Sequence, residues 1–352
     1  MSVAPMSTDP LRFIDVALHA NKDVTLPALD GLPETRHLHD ELSLHAINAA
    51  LASGRPLLIR GEPGTGKSQL ARAAAYLLRR EFTWKVVDAQ TQVADLFYSF
   101  DAIERLAQAQ VAGALHGGAD ATGKRIAEIL DERNYIQPGP LWLAFDAAGA
   151  RKQQRQYEMR CGVASTETTV TAPDRGHVVL IDEIDKTDPS VPNGLLEALG
   201  QGTFAVPRGK VSLHRAGPPP LIVITTNGER ELPGAFVRRC MVLHIRLKKP
   251  GDGLAEWLIE RGRTHFREHY SSLMTTEDFT TLLASAAALV IRDRVLADAG
   301  GLAAPGQAEY LDLLRAIAVL PCPGGDRGAL LRTIADFALK KHSELHEPST
   351  GA

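Results

Sequence analysis

Five short apolar runs punctuate the first 250 residues: Pro56–Arg60 (PLLIR), Trp84–Ala89 (WKVVDA), His177–Ile181 (HVVLI), Leu221–Thr226 (LIVITT) and Met241–Leu247 (MVLHIRL). Stretches with helical spacing separate them, and a helix over roughly Leu38–Ser53 precedes the first. Continuous runs, rather than alternating ones, suit strands covered on both faces, and strands separated by helices form parallel sheets. The pattern predicts an α/β domain with a buried parallel sheet. Past Pro250 the character changes. Gly253–Tyr270, Thr276–Ala299, Ala308–Leu320 and Asp326–Leu345 all carry helical patterns, with Gly and Pro clusters between them. The expected organisation is an N-terminal arm over 1–37, an α/β domain over 38–248, an all-helical domain over 249–345 and a short tail over 346–352.

The first run leads into Gly61-Glu62-Pro63-Gly64-Thr65-Gly66-Lys67-Ser68 and then a helical stretch that opens on Gln69. This is GxxxxGK[ST], the Walker A pattern, in the strand–loop–helix setting it requires. The glycines let backbone N–H groups turn inward around phosphate oxygens, and the helix N-terminus adds partial positive charge. Lys67 can reach the β- and γ-phosphates, and the Ser68 hydroxyl can ligate Mg²⁺. The residues expected to bind nucleotide are Gly61 to Gln69.

The third run ends on Asp182-Glu183, within VVLIDEIDKTDPS. Apolar residues bury the strand and the carboxylates emerge at its C-terminal edge, where open α/β sheets bind ligands. Asp182 is expected to hold Mg²⁺ through its water shell, with Ser68 as the second metal-side residue. Glu183 is expected to polarise the attacking water. Asp185, Lys186 and Asp188 read as structural. The fourth run ends on Asn227, and Arg238-Arg239 follow a short polar helix. An asparagine at a strand end can position water, and adjacent arginines can meet phosphate or bond local carboxylates.

Composition narrows the function. Of 352 residues, 44% are hydrophobic, enough for a sizeable core and too many for global disorder. The formal net charge of −3 argues against a basic nucleic-acid coat. The basic stretch RKQQRQYEMR (151–160) reads as a solvated helix face or loop. Cys161, Cys240 and Cys322 are scattered and form no CxxC pair, which fits reduced cytosolic thiols. The N-terminal stretch does not read as a signal peptide and no run has the length of a membrane span, so the expected location is the cytoplasm.

Together GEPGTGKS, VVLIDEIDK and ITTN followed by LPGAFVRRC resemble the AAA+ ATPases, and the MoxR-like branch with an insert in its second helix is most similar. Two further stretches share the resemblance: YIQPGPLWLAF (135–145), like the PGP-containing hairpin of that branch, and GTFAVPRGKVSL (202–213), like the hairpin ahead of the asparagine strand. The resemblance implies a P-loop NTPase fold with a five-stranded parallel sheet and a helical lid. It also implies ATP and Mg²⁺ as ligands and a ring, usually a hexamer, with ATP at subunit interfaces. Asn227 matches the residue that positions water beside Glu183. Arg239 best matches the arginine lent to a neighbour's γ-phosphate, with Arg238 a second candidate. In the sheet order that the family implies, the two arginines lie at the domain's flank, awkwardly placed for the chain's own phosphate loop. The family also implies partners with von Willebrand factor A domains. One departure stands out. The basic lid residue that the family places near the start of the third lid helix is absent from Leu302–Glu309; either Arg327 substitutes for it or the function is missing, and no lid residue is assigned to that role.

His265-Phe266-Arg267-Glu268-His269 fits HxxEH, a zinc-peptidase pattern. It has no convincing third ligand and falls in the helical region, so it reads as ordinary helix-face residues. The expected function is ATP hydrolysis coupled to chaperone-like remodelling of a partner protein, with the two hairpins as contact elements. The alternatives are a nucleic-acid motor or loader and an ATP-dependent scaffold with little turnover.

Overall fold

All five apolar runs contribute strands to one sheet in the computed structural model, which describes residues 12–29, 31–115, 126–162, 175–207, 209–212, 218–322 and 325–339. The strands are β1 (Leu57–Gly61), β2 (Glu81–Val86), β3 (His177–Asp182), β4 (Leu221–Thr226) and β5 (Met241–Ile245), in the spatial order β5-β1-β4-β3-β2. The sheet is parallel and helices accompany it. In the register, Val178 pairs with Leu221 and Ile181 with Ile224 between β3 and β4; Glu81 pairs with His177 and Val86 with Asp182 between β2 and β3. Every residue of β4 is buried, as is every residue of β3 but the last. Burying each Val, Leu or Ile contributes roughly 1.5–3 kcal/mol, which is why uninterrupted apolar runs specify the central strands. β2 lies at the edge and is only half-buried. It starts three residues before the run WKVVDA, two residues after Arg79 at φ +52.

The chain divides into two compact units, along lines different from the expected cut at 248. One comprises residues 1–14, 45–59 and 74–243; the other comprises 15–44, 60–73 and 244–352. In the first unit the core gathers Leu58, Leu96, Phe97, Ile181, Leu195 and Ile224. The stretch 135–145 corrects an expectation. It is not a projecting hairpin: Ile136–Pro138 pairs antiparallel with Tyr98–Phe100, and Pro140–Phe145 is a helix. Tyr135, Ile136, Leu141 and Trp142 are buried. The PGP tripeptide explains the helix, because Gly139 is its N-cap and Pro140 takes the first helical position, where a missing N–H costs nothing. The second stretch does form a hairpin, Thr203–Val206 against Gly209–Ser212. Its Phe204 anchors it, stacked on Phe97 at 4.7 Å and edge-on to Trp142 at 5.4 Å.

The basic stretch 151–160 lies in the helix Ala147–Cys161, which Asp146 caps through the amide of Gly149. Its residues find partners within the unit. Arg151 donates to Glu81 at 2.5 Å, Gln156 to Asn134 at 2.8 Å, and the Tyr157 hydroxyl to Asp101 at 3.0 Å.

In the second unit four helices, Leu254–Ser271, Thr276–Ala299, Gln307–Val319 and Arg327–Ala338, pack around Leu258, Tyr270, Leu283, Val290 and Leu314. Gly262 allows their close approach: a Cβ there would lie 2.6–2.9 Å from Tyr310, Leu283 and Leu314. The N-terminal arm from residue 15 onward also belongs to this unit. Its strands Asp23–Leu26 and Thr35–Leu38 pair antiparallel, Arg261 donates to the Leu38 carbonyl at 2.9 Å, and Arg36 pairs with Glu268. Glu268, the would-be base of HxxEH, is therefore an ion-pair partner. Among the described residues, no helix is long and apolar enough to cross a membrane.

Candidate active site

The phosphate loop falls in the second unit, after β1. Gly64 and Gly66 adopt φ +72 and +86, the left-handed region that L side chains avoid. At Gly64 space forbids a side chain as well, since a Cβ would come within 2.4 Å of the Ala308 Cβ. The loop is braced from inside. Thr65 Oγ1 donates to the Glu62 carbonyl at 2.9 Å, and buried Lys67 Nζ donates to the carbonyls of Gly61 and Glu62 at 2.9 and 2.8 Å. The ammonium thus already sits within the loop. Lys67 opens the helix Lys67–Leu78, with Ser68 half-buried in its first turn. The side chain of Gln69 hydrogen-bonds His37.

The first unit carries the acidic strand end. β3 ends on Asp182, and Glu183 follows at φ +64, a left-handed conformation that costs a non-glycine residue of order 1–3 kcal/mol. The structure locks it there. Thr225 Oγ1, fully buried in β4, accepts from the Glu183 amide at 2.9 Å and donates to Asp182 Oδ1. One hydroxyl therefore fixes both acids. Glu183 Oε1 faces Asn227 Nδ2 at 3.4 Å, and Oε2 accepts from Lys186 Nζ at 2.7 Å. Buried Asp185 accepts from the amide of Glu229 at 3.0 Å, which ties the loop after β4 to the turn after β3.

The structure thus brings Asp182, Glu183 and Asn227 together. Thr225 was missed as the support of the acid pair, and its signal was a hydroxyl in an otherwise apolar buried run. Asp185 has the structural role that its sequence reading gave it.

Arg238 and Arg239 lie further along the same unit. Buried Phe236 and Cys240 anchor the segment on either side, and the Cys240 thiol donates to the Phe236 carbonyl at 3.4 Å. The two arginines between them are exposed.

The sequence assigns no lid cation to the loop and leaves Arg327 as one open possibility. Arg327 donates to the Ile317 carbonyl at 2.6 Å, so it caps the preceding helix and does not serve the loop. Arg294, on Thr276–Ala299, reaches the loop instead. Its side chain is nearly buried and donates to Glu62 Oε1 at 2.8 Å and to the Pro305 carbonyl at 3.1 Å. Beside it Gln307 is buried, and its Oε1 has no hydrogen-bond partner among the described residues.

Each unit by itself carries a donor of the kind that Mg²⁺ takes. Among the described residues no group of three His, Cys, Asp or Glu could cage a metal. Mg²⁺ seldom uses such cages; it takes one or two carboxylates, phosphate oxygens and water. Asp182, with one oxygen fixed by Thr225, and the Ser68 hydroxyl are donors of that kind.

No curated protein matches the chain by sequence. Two solved structures are similar in fold over most of it. One is a candidate ATPase from Cytophaga hutchinsonii, with 14% identity over 85% of this chain and 80% of that chain at a TM-score of 0.35. The other is a variant of RuvB from Thermotoga maritima, with 14% identity over 79% of this chain and 60% of that chain at a TM-score of 0.40. Neither likeness adds weight to what the sequence match shows. The family described as "AAA domain (dynein-related subfamily)" matches residues 56–240, more than half of the 352, from the start of β1 to the residue before β5. The chain therefore belongs to that family, within the AAA+ ATPases.

Proposed function

We propose that the chain hydrolyses ATP, assembles as a ring of MoxR-like type, usually a hexamer in that branch, and remodels a partner protein. The observation that supports turnover best is Glu183. Three polar contacts hold it in a strained backbone conformation at a strand end, and strain of this kind is retained where function needs it. In this reading the loop amides and Lys67 hold the β- and γ-phosphates. Bound Mg²⁺, held by Ser68 and Asp182, would neutralise charge that develops on the phosphate oxygens. Glu183 takes a proton from the attacking water, Asn227 orients that water, and Arg239 or Arg238 serves the site of a neighbouring copy. The client, by the family resemblance a protein with a von Willebrand factor A domain, meets the hairpin 203–212.

One observation favours a slower protein. Lys186 occupies Glu183 Oε2 at 2.7 Å, which leaves the carboxylate committed until something displaces the lysine. A scaffold that binds ATP and scarcely turns it over would have this arrangement. Phosphate release by the full chain, with and without DNA, separates the readings. Remodelling predicts basal turnover that Lys67→Ala abolishes and DNA leaves unchanged. Turnover no faster than that of Lys67→Ala would favour the scaffold, and stimulation by DNA would favour a nucleic-acid motor.

A further inference from the structure

Within the first unit, the turn that enters β1 and the segment that enters β5 are fixed to each other. Gly54, at φ +65, ends the helix Glu41–Ser53. The Arg55 amide then donates to the Ala50 carbonyl at 3.2 Å, and the Pro56 carbonyl accepts from the Met241 amide at 2.8 Å. On the other segment, the amides of Arg239 and Cys240 donate to the carbonyls of Phe236 and Val237 at 3.0 and 3.1 Å. Arg55 and Arg239 thus stand on two rigid segments joined by a backbone hydrogen bond.

Both arginines border one cavity of about 300 Å³, whose other walls include Phe145, Leu196, Leu199 and Ile222. No carboxylate lines it, and Arg238 does not line it. Both guanidinium-bearing residues are exposed, and among the described residues neither has a hydrogen-bond or ion-pair partner for its side chain. Two like charges on residues that border one space repel each other, and an anion with several negative oxygens relieves that repulsion. The planar guanidinium fork suits phosphate in particular.

The cavity's place in the fold constrains the anion's source. Pro56 and Pro220 put it at the edge where β1 and β4 begin. Asp182, Glu183 and Asn227 stand where β3 and β4 end. β4 has six residues, so those edges are about 20 Å apart at ~3.3 Å per residue. An anion in the cavity is therefore not one that this chain's own strand-end acids process.

We propose that Arg55 and Arg239 form a two-arginine phosphate clamp whose occupant is the terminal phosphates of the nucleotide held by a neighbouring copy, which makes Arg55 a second catalytic residue acting in trans. The proposal rests on the reading of Arg239 as an arginine that serves a neighbour. In the step it assists, a water oxygen bonds to the γ-phosphorus and the bond from that phosphorus to the β–γ bridging oxygen breaks. The water's proton passes to Glu183 of the copy that holds the nucleotide, and ADP and inorganic phosphate separate. The two guanidiniums donate to non-bridging oxygens, where negative charge concentrates as the bond breaks.

The test uses full-length Arg55→Ala, Arg55→Lys, Arg239→Ala and Lys67→Ala chains, with thermal unfolding as a check on folding. Arg55→Ala should lower turnover at least about tenfold while ATP affinity stays within about threefold, with Arg55→Lys between it and the parent. Mixed equally with Lys67→Ala, whose arginines are intact, about one interface in four regains a good pocket and both arginines, so activity should partly return. Energy transfer between labelled subunits establishes that the two chains co-assemble. If Arg55→Ala keeps full turnover while Arg239→Ala is inactive, the clamp is wrong and the reading of Arg239 stands. If both keep full turnover, that reading fails too. If co-assembled Lys67→Ala rescues Arg239→Ala but not Arg55→Ala, Arg55 acts within its own chain and the proposal is overturned. Inorganic tripolyphosphate, titrated into Lys67→Ala, probes the other source. Binding that Arg55→Ala removes from that variant, with turnover untouched in the Arg55→Ala single variant, would assign the cavity to a free anion and overturn the trans role.

Discussion

Arg294 and Glu62, 232 residues apart, form an ion pair at 2.8 Å that joins the helix Thr276–Ala299 to the phosphate loop. A carboxylate in a loop that binds phosphate is electrostatically out of place, and the arginine offsets it. Arg294→Ala leaves Glu62 uncompensated and should weaken ATP binding roughly tenfold, in line with about 1–2 kcal/mol for a partly exposed charge-assisted contact. Glu62→Gln removes the competing charge and should tighten binding instead. Calorimetry with a slowly hydrolysed ATP analogue checks both signs. Weakening by both variants would mean that the pair matters for loop shape and not for charge.

Thr225 supports two acids with one hydroxyl. Thr225→Val keeps shape and burial but removes the partner of Asp182 and of the Glu183 amide. Leaving such groups unpaired costs on the order of 1–3 kcal/mol, and a base freed from its position loses rate. The variant should unfold at a lower denaturant concentration, bind ATP normally and turn over at least about tenfold more slowly. Parent-like turnover would mean that the strain at Glu183 is held by other contacts.

Three histidines of the second unit should make it acid-sensitive. Burial, with help from neighbouring positive groups, pushes His37 down to about 3 and His39 and His265 to about 4. The cationic neighbours are Arg261 for all three, the other histidines for His37, His19 for His39, and Arg315 and Arg36 for His265; Asp40 and Asp23 oppose them at His39, and Asp23 at His265. The unfolded chain protonates these groups near pH 6.5, whereas the folded chain does not until about pH 4 or below. Stability is therefore full above about pH 6.5 and falls as pH drops toward 4, by up to about 1.4 kcal/mol per pH unit for each histidine. Glu81 acts in a lower window. His177, 3.0 Å away, and Arg151 hold it at about 2 despite partial burial, so its contribution is present above about pH 4.5 and is lost as pH falls through 2. Denaturant unfolding at pH 7, 6 and 5 should show the loss, and His37→Asn should reduce it by about a third. A flat profile over that range would contradict the assignment.

What the sequence made legible was local. Each chemical motif follows directly on a buried strand, so runs such as HVVLI and LIVITT located the strand ends and with them Asp182, Glu183 and Asn227. The rest depended on contacts distant in sequence. Nothing near Glu62 announces Arg294, and Arg327, an open possibility from its place at a helix start, is used by the fold as a cap. Arg55 carries no motif and gains meaning only from its bond-linked position beside Arg239. The stretch 135–145 misled because its resemblance to a hairpin outweighed a local signal, Gly139-Pro140, that opens a helix.

In the proposed reaction Glu183 activates the water that cleaves ATP. Glu183→Gln keeps size and hydrogen-bonding capacity while removing the charge. Paired measurements of ATP affinity and of phosphate release in a single turnover test it most directly. Affinity should stay within about threefold of the parent and release should slow at least about a hundredfold, the scale of general-base catalysis. Release at the parent rate with binding intact would contradict it, and would show that another group takes the proton.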